Sequence, residues 1–505
     1  MWHTISEIFG YMVFLYSAVL ITSYIVLIMR SYKAQSNERL FTPDPIAIKY
    51  LLKDAPYLPG VSIIAPAYNE EKTIITNVNS LLAIDYPEFE VIIVNDGSTD
   101  RMMELLMDTY DMHEVPFIYH EYVKCQPVKT IYKSRDPRFS KLIVVDKVRA
   151  GYKADGSNAG INVSSYDYFI CTDVDCIVEP LAIYRMIWPV ILHSRKVIGV
   201  SATMLISNGC KVEDGRLIEA NVSWNPLAMF QQLEYLRSFL IGKLGWSCDN
   251  MLPNISGGFG FFDKQVVIEA GGYGNASLAE DVDMLMKMIK YMASTNQGYR
   301  LVQIPQALCW TEGPGTMKSL YRQRVRWAKG LCQIMRDHLG IIFKPRYKGM
   351  GLLVMPYIFL FEFMAPIIEL VGFLVSIYLV LTDGINWHTF WLIYLLIYLM
   401  SQFITVTVCL FDYTAASARW KREAGNYSHL LMAGLFEPIF YHPLITYFSI
   451  VGYVQYIFKI NMGWGVMKRK GFNQELQKTK QRENQTIVRT KEQANAANAA
   501  GQKNN

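Results

Sequence analysis

The sequence predicts an α/β domain built on a mostly parallel sheet, with transmembrane helices on either side of it. Of the 505 residues, 51% are hydrophobic and only 18% are charged, and the apolar excess is concentrated towards the two ends of the chain. Between about Val61 and Leu205, short apolar runs alternate with segments of helical spacing. Continuous apolar strands between helices are typical of a parallel sheet covered on both faces.

The first predicted element is a transmembrane helix. Residues Ile8 to Met29 carry no charge over 22 residues, which is long enough for a helix to cross a bilayer. A signal peptide is the competing interpretation, but no Lys or Arg precedes the run and no small-residue cleavage pattern follows it. Arg30, Lys33 and Arg39 follow the span directly. They predict that this end of the helix lies on the cytoplasmic side and the N-terminus outside.

Four strands and one helix are predicted next, and polar residues follow three of the strands. The strand segments are "VSIIAPAYNE", "FEVIIVNDGSTD", "KLIVVDK" and "YFICTDVD", and "EKTIITNVNSLLAI" has helical spacing. The clusters at the strand ends are Tyr68-Asn69-Glu70, Asp96-Gly97-Ser98 and Asp173-x-Asp175. Ligands of open α/β sheets bind beyond the carboxyl ends of the strands. These clusters therefore favour a nucleotide site, although a strand-end Asp can instead cap a helix.

The two aspartates after the fourth strand are the first candidate metal ligands. Residues i and i+2 of a strand share a face, so Asp173 and Asp175 would point together with Val174 turned away. Two like charges this close repel unless something compensates them. A hard divalent cation such as Mg²⁺ or Mn²⁺ would do so with oxygen ligands. The alternative is a strand end followed by a solvated turn.

Four more motifs follow in order along the chain. They are a Gly-rich loop "VRAGYKADGSNAGI" with Lys153 and Asp155, a Gly-rich turn "PNISGGFGFF" with Gly257 and Gly258, a helix start "LAEDVDML" with Glu280, Asp281 and Asp283, and "YRQRVRWAKG" with Gln323, Arg326 and Trp327. Each has a simpler explanation by itself. Acidic residues at a helix start complement its dipole, Arg and Trp anchor amphipathic helices, and glycines form tight turns. Their joint appearance on an α/β scaffold favours a catalytic site.

The C-terminal part predicts further membrane segments. Residues 351–381 are apolar apart from Glu362 and Glu369, residues 387–410 form a second span, and residues 428–458 are broken by prolines. At 3.6 residues per turn, Glu362 and Glu369 would share nearly one helix face. A carboxylate facing lipid costs several kcal/mol, so we expect both side chains to meet protein, water or a ligand.

The remaining composition excludes some classes of protein. The net charge is +5, but residues 468–505 alone carry nine basic and three acidic residues, so the rest of the chain is close to neutral and nucleic acid is not an expected partner. This polar tail is predicted to be disordered on a cytoplasmic membrane face. The eight cysteines are scattered without a C-x-x-C pair, which disfavours a disulfide framework or a zinc site.

Together, the motifs "NDGSTD", "KADGSN", "TDVD", "AEDVD" and "QRVRW" resemble those of the processive branch of glycosyltransferase family 2. This branch includes cellulose, hyaluronan, chitin and poly-N-acetylglucosamine synthases. The resemblance covers about residues 61–330. The family's usual Thr-Glu-Asp has Ala279 in place of Thr, and Gly156 and Ser157 replace the central pair of the usual K-A-D-A-L-N. Both carboxylates of the acidic motif are present.

The resemblance implies a nucleotide-binding domain of glycosyltransferase-A type that performs inverting transfer from a UDP-sugar. The growing glycan would be a β-linked polysaccharide, with its translocation coupled to synthesis. The implied roles are Asp173 and Asp175 for Mg²⁺ or Mn²⁺; Asn69, Glu70, Asp96, Lys153, Asp155 and Arg326 for the donor nucleotide; Asp281 as the general base with Glu280 beside it; and Gly257, Gly258, Gln323 and Trp327 for the acceptor.

Two other functions stay open at this stage. One is the non-processive transfer of one sugar to a lipid or short acceptor, and the other is an inactive channel or transport scaffold. Membrane lipid is a further expected partner, and the sequence leaves open whether an accessory subunit is needed. The expected location is the plasma (inner) membrane, as a multi-pass protein with a cytoplasmic catalytic domain. The predicted divisions are 1–34 membrane helix, 35–60 linker, 61–345 glycosyltransferase domain, 346–460 membrane domain and 461–505 tail.

Overall fold

The computed structural model describes residues 2–55, 57–213, 215–275, 277–416, 422 and 424–460, with side chains from residue 10 onward. The strands are β1 (Val61–Ala67), β2 (Phe89–Asn95), β3 (Met112–Val115), β4 (Val128–Ser134), β5 (Leu142–Lys147), β6 (Tyr168–Thr172), β7 (Ile177–Val178), β8 (Lys196–Ile206), β9 (Lys211–Glu213), β10 (Arg216–Glu219), β11 (Phe259–Asp263) and β12 (Tyr299–Thr311).

The α-helices are α1 (Trp2–Phe41), α2 (Pro45–Leu52), α3 (Ile74–Leu82), α4 (Met102–Tyr110), α5 (Lys153–Val163), α6 (Ala182–Leu192), α7 (Pro226–Arg237), α8 (Leu244–Ser247), α9 (Lys264–Glu269), α10 (Glu280–Ser294), α11 (Met317–His338), α12 (Met355–Ile358), α13 (Ala365–Leu381), α14 (Trp387–Ala415), α15 (Ala424–Phe436) and α16 (His442–Ile457). Wide π-type turns occupy Ser238–Lys243, Met350–Val354, Phe359–Phe363 and Glu437–Tyr441.

A ten-stranded mixed sheet forms the centre of the described chain, in the order β3-β4-β5-β2-β1-β6-β11-β8-β12-β7. The pairs β5-β2, β2-β1, β1-β6 and β8-β12 are parallel, and the others are antiparallel. Seven of these ten strands therefore run in one direction, and only β4, β11 and β7 oppose them. A smaller sheet pairs β9 with β10.

The four strands predicted from the sequence form the parallel centre of the sheet, as β1, β2, β5 and β6. Their continuous apolar sequences follow from burial on both faces. In β1, Ile63 and Ala65 belong to one core cluster and Ile64 to a second cluster on the other face. Helices α3, α4 and α6 cover the first face, and α5, α9 and α10 cover the second. The predicted α/β class is confirmed.

Four of the described helices around the sheet start at a capping side chain. Asp44 begins α2, Asn225 begins α7, Asp263 begins α9 and Thr316 begins α11, and each side chain accepts a backbone N–H of the first turn. Such a cap stabilises a helix by about 1 kcal/mol. Helix α10 differs, because the residue before it is Ala279 and provides no side-chain cap.

Three of the described helices are long and apolar enough to cross a membrane: Gly10–Phe41, Met350–Leu381 and Trp387–Ala415. Within the predicted linker, α1 continues to Phe41 and α2 occupies Pro45–Leu52. The end of α1 packs on the segment that follows α7, where Ser31 Oγ donates to the Ile241 carbonyl at 3.0 Å and Arg30 pairs with Asp249. The predicted tail, 461–505, lies outside the described residues.

The two carboxylates of the second apolar segment have different surroundings. Glu362 lies in the wide turn Phe359–Phe363, so the regular helical spacing to Glu369 on α13 is broken. Glu369 accepts the Thr446 hydroxyl at 2.6 Å and lies 3.1 Å from His442 Nε2. The expectation of polar protein partners is therefore confirmed for Glu369, and the partners come from α16.

Candidate active site

Asp173 and Asp175 lie in a tight turn directly after β6, and not on the strand as predicted. Strand β6 ends at Thr172, and the Cys176 N–H donates to the Asp173 carbonyl at 3.1 Å to close the turn. The alternation of strand faces therefore does not apply here. The two carboxylates nevertheless converge, because one ligand atom each from Asp173, Asp175 and Cys176 lies within 4.8 Å of the others.

Lys153 connects this turn to the Gly-rich turn. It is the first residue of α5, and not part of the preceding loop as predicted. Its Nζ lies 2.5 Å from Asp173 Oδ1 and donates to the Gly257 carbonyl at 2.5 Å. Burial disfavours the charged ammonium, but Asp173 together with Glu280 and other neighbours outweighs that effect, so the pKa of Lys153 lies above its ordinary value. A permanent cation thus lies beside the two aspartates.

The Gly-rich turn connects the aspartate turn to the acidic helix α10. The Gly258 carbonyl accepts the Asp173 N–H at 3.2 Å, and the Gly257 N–H donates to Asp281 Oδ2 at 3.0 Å. A Cβ at Gly258 would lie 2.6 Å from Met204 Cε and 3.3 Å from Asp173 Oδ2. A side chain at this position would therefore displace the end of Met204 and press on the Asp173 carboxylate, which glycine avoids.

The two acidic residues at the start of α10 are not equivalent. Asp281 is partly exposed, and its Oδ1 accepts the Val282 N–H at 2.9 Å. Glu280 is buried, with 7% of its surface exposed. Burial and the neighbouring Asp281 raise the pKa of Glu280 to about 7, although Lys153 and Arg326 oppose the shift. Such a perturbed carboxyl group in a cleft is typical of functional sites.

The third element near these residues is α11, which carries the predicted residues Gln323, Arg326 and Trp327. The charge of Arg326 acts on Glu280, so α11 lies beside the start of α10. Trp327 is 37% exposed, and the Arg324 guanidinium lies 4.2 Å from the centroid of its ring. The amide oxygen of Gln323 is buried with no hydrogen-bond partner among the described residues.

Two of the predicted donor residues, Asp96 and Asp155, share one buried lysine. Lys147 Nζ lies 2.5 Å from Asp96 Oδ1 and 2.6 Å from Asp155 Oδ1, and its side chain is fully buried. Asp96 also accepts the N–H groups of Ala150 and Gly151, both at 2.9 Å. These contacts fix the loop between β5 and α5 against the end of β2.

Asn69 joins the loop after β1 to the loop after β2, and Glu70 lies next to it in the first of these loops. Asn69 has a left-handed φ of 55°. Its N–H donates to Ser98 Oγ at 3.0 Å, and its Oδ1 accepts the Thr99 N–H at 2.8 Å. Glu70 accepts the Thr73 hydroxyl at 2.8 Å. The structure thus places both predicted residues at the loops that follow the strands, at the same edge as Asp96.

The sequence interpretation missed two buried lysines of the candidate site, Lys147 beside Asp96 and Lys243 near Asp281. Lys147 ends β5, and the Asp-Lys pair "DK" after an apolar run was its only signal. Lys243 has 4% of its surface exposed, and its ammonium lies 4.2 Å from the centroid of the Phe239 ring. Burial lowers the pKa of Lys243 to about 8, although Asp281 and Glu362 oppose the shift. No sequence pattern near Lys243 pointed to the site.

The aspartate turn fits a divalent cation. Two carboxylates supply hard oxygen donors for Mg²⁺ or Mn²⁺, and one ligand atom of each lies within 4.8 Å of the other. The third nearby group is the Cys176 thiol, which donates to the Gly258 carbonyl at 3.4 Å. Asp173 and Asp175 are therefore the residues that would hold such an ion.

Two family models match the chain, one before the aspartate turn and one after it. One, described as "Glycosyl transferase family 2", matches residues 62–120, and the other, "Glycosyl transferase family group 2", matches residues 221–411. The first range contains β1, β2 and Asp96. The second contains the Gly-rich turn, α10 and α11. The matched ranges therefore include both the strand-end and the helical parts of the candidate site.

The curated relatives that match the chain are named as polysaccharide synthases. The poly-beta-1,6-N-acetyl-D-glucosamine synthase of Staphylococcus aureus (strain COL) is 30% identical over 308 residues, which cover 59% of this chain and 63% of the relative. The chain thus spans less than two thirds of the length of that relative. The synthase of the same name from Staphylococcus epidermidis is 28% identical over 359 residues, 71% of this chain and 74% of the relative.

Among solved structures, a mannosyltransferase from Pyrobaculum calidifontis, in complex with GDP-Man and Mn²⁺, aligns with 87% of this chain and 99% of its own. The sequence identity is 16% and the TM-score 0.44. The family models and the curated relatives agree with the motifs. Over residues 62–120 and 221–411 the chain is therefore similar to glycosyltransferase family 2.

Proposed function

We propose that this protein is an inverting glycosyltransferase with a glycosyltransferase-A type domain, which uses a UDP-sugar to extend a β-linked polysaccharide. One observation carries the proposal. Lys153 contacts Asp173 and the Gly257 carbonyl, and the Gly257 N–H contacts Asp281. A continuous set of contacts therefore joins the proposed metal ligands, a phosphate-binding cation and the proposed base.

The donor side would bind the nucleotide and stabilise the leaving diphosphate. A divalent cation held by Asp173 and Asp175 would supply charge neutralisation there. Lys153, already paired with Asp173, is placed to contact a phosphate oxygen, and Arg326 offers a second cation. The start of α5 adds its N-terminal dipole on the same side. Asp96, Asn69 and Glu70 lie at the loops where the nucleoside would bind.

The acceptor side would supply the base. An acceptor hydroxyl becomes a good nucleophile only when its proton is removed as the new bond forms. The N–H groups of Gly257 and Val282 fix the Asp281 carboxylate, which is partly exposed and can accept that proton. A single displacement inverts the anomeric carbon and needs no covalent intermediate. Trp327 offers an aromatic face to the acceptor sugar, with Gly257, Gly258 and Gln323 beside it.

N-acetylglucosamine is the favoured sugar, because both staphylococcal relatives are named as synthases of its polymer. The proposed arrangement is a multi-pass protein of the plasma (inner) membrane with residues 61–345 in the cytoplasm. Residues 1–34 and 346–460 would lie mainly in the membrane. Export of the product would follow a route through the membrane segments, with or without an accessory subunit.

The test is to incubate purified membranes with a panel of radiolabelled UDP-sugars and to size the product by gel filtration. We expect label from UDP-N-acetylglucosamine in material of high molecular mass, and loss of that label with EDTA. If the label appears only on a lipid or short acceptor, the protein transfers a single sugar and does not extend a polymer. No release of UDP with any sugar would contradict the enzymatic function altogether.

A further inference from the structure

A buried cluster of Asp283, His338 and Lys287 joins the two helices of the acceptor side. His338 is 3% exposed and Asp283 8% exposed. His338 Nε2 lies 2.9 Å from Asp283 Oδ1, and Lys287 Nζ lies 2.8 Å from Asp283 Oδ2. His338 is the last residue of α11, whereas Asp283 and Lys287 belong to α10. A charged hydrogen-bonded cluster therefore connects the acceptor helices away from the proposed reacting groups.

The hydrogen bonds of the cluster fix which of its atoms donate. Burial disfavours the ionised Asp283, but the hydrogen bonds from His338 and Lys287 hold the pKa of this carboxyl below its ordinary value. An ionised carboxylate only accepts hydrogen bonds, so His338 Nε2 carries the proton and donates. His338 Nδ1 is buried with no partner among the described residues. The imidazole is thus oriented by Asp283 alone.

The same two helices meet at two more points near the start of α10. The Gln333 Oε1 accepts the Leu278 N–H at 3.1 Å. A Cβ at Gly330 would lie only 2.9 Å from the Ala279 Cβ, so the two backbones are in close contact. Ala279 supplies no cap of its own. The start of α10, and the Asp281 carboxylate with it, is therefore held in place by α11.

We propose that His338 is a positioning residue for the transfer reaction. By holding Asp283 it fixes α10 against α11, and so fixes the base Asp281 relative to Trp327 and Arg326. This inference rests on the proposed function. A purely structural His338 would lower stability without a selective effect on turnover. A positioning residue instead lowers kcat at unchanged donor affinity, because only the alignment of base and acceptor is lost.

The experiment compares His338→Leu, His338→Gln and a matched control, Glu90→Gln, in the full-length protein. Glu90 is also buried and hydrogen-bonded, since it accepts Ser62 Oγ at 2.6 Å and the Ser165 N–H at 2.7 Å. It lies at the amino end of β2, opposite the candidate site. Each variant is assayed for thermal unfolding, for UDP affinity by calorimetry, and for sugar transfer per folded molecule.

We expect His338→Leu to lower kcat about ten- to a hundredfold, with UDP affinity within about twofold of wild type. His338→Gln should recover most of the rate, because its amide nitrogen can replace the Nε2 donor. Glu90→Gln should lower the unfolding temperature without this loss of kcat. If His338→Leu does not fold, Asp283→Asn takes its place with the same expected loss, since the amide keeps the volume but removes the charge.

Three results would overturn the inference, and each has a different consequence. If the wild type transfers sugar and His338→Leu has the same kcat per folded molecule as Glu90→Gln, His338 is only structural and the proposed function stands. If the wild type transfers no sugar from any UDP-sugar, the proposed function fails and the positioning role fails with it. A loss of UDP affinity in His338→Leu equal to its loss of kcat would also contradict the proposal.

Discussion

The candidate site has a strand-end side, with Asp96, Lys147 and Asp155, and a helical side, with Gly257, Glu280 and Asp281. The two sides differ in how completely nearby cations neutralise their carboxylates. On the strand-end side, each carboxylate is neutralised by Lys147 and by backbone N–H groups. On the helical side, the charges of Lys153 and Arg326 only partly offset the burial of Glu280 and its repulsion by the adjacent Asp281. The pKa of Glu280 therefore rises to about 7.

This difference separates a scaffold from a reactive centre. Fully paired buried charges fix a loop in one geometry. Adjacent carboxylates that are incompletely compensated cost stability, and natural sites retain them where chemistry needs a group that titrates near neutral pH. We therefore expect substitutions on the strand-end side to act on folding and donor binding. On the helical side, substitution of the partly exposed Asp281 should act on turnover, and substitution of the buried Glu280 should act on the pH dependence of stability.

The largest effect is expected for Asp281→Asn. It should lower turnover about 10²- to 10⁴-fold, because an amide cannot accept the proton of the acceptor hydroxyl. UDP affinity should stay near that of wild type, since the amide oxygen can still accept the Gly257 N–H. Parallel calorimetry and radiolabel incorporation measure the two quantities. An equal loss in both would show that Asp281 binds the donor or supports the fold.

Lys147→Met should be the most destabilising change on the strand-end side. It leaves Asp96 and Asp155 buried without their shared cation, and breaking a buried ion pair costs about 3–5 kcal/mol. The apparent unfolding temperature of the purified protein and the UDP affinity should both fall. Lys129→Met is the control, because Lys129 pairs with Asp146 at the surface with half of its side chain exposed. Equal stability of the two variants would contradict the scaffold role.

Glu280→Gln should change the pH dependence of stability. The folded protein keeps a proton on Glu280 up to about pH 7, whereas the unfolded chain releases that proton near the ordinary glutamate pKa of 4.5. The stability from protonated Glu280 is thus full below about pH 4 and is lost as the pH rises through about 7. The neutral amide removes that loss. Glu280→Gln should therefore unfold at a higher temperature than wild type at pH 8, with little difference at pH 5, in thermal scans at one scan rate.

The smallest effect is expected for Trp327→Ala. The ring is only partly buried and contacts Arg324, so its loss should leave the fold intact. If the contact of this ring with a sugar is worth as much as a pair of aromatic rings, about 0.5–1.5 kcal/mol, its loss raises KM for an added oligosaccharide primer about two- to tenfold. Trp327→Phe should lie between the two. An unchanged KM in both variants would remove Trp327 from the acceptor site.

The strand-end side could be predicted further than the helical side. Strands β1, β2, β5 and β6 are buried on both faces, and such strands have continuous apolar sequences that a single sequence reveals. Strand β4 alternates between half-buried and exposed positions, so its sequence resembles a polar connection. Antiparallel β11 is paired to strands that are distant in sequence, and its glycines indicated only a turn.

Residue types were predicted better than their surroundings. Asp173 and Asp175 were identified from their spacing, but the turn that joins them depends on contacts with Gly258, more than 80 residues later. The same holds for the burial of Lys147 and for the contact between Asp283 and His338, which are 55 residues apart. The raised pKa of Glu280 is a property of packing, and no local pattern encodes it.

One measurement tests the central claim most directly: the stoichiometry of UDP released to sugar incorporated, in membranes that contain either wild type or Asp281→Asn in equal folded amounts. With UDP-N-acetylglucosamine and Mg²⁺ or Mn²⁺, we predict that the wild type releases one UDP for each sugar added to the product. The Asp281→Asn membranes should show almost no incorporation. Equal incorporation by both, or none by the wild type with any UDP-sugar, would contradict the assignment of this site to glycosyl transfer.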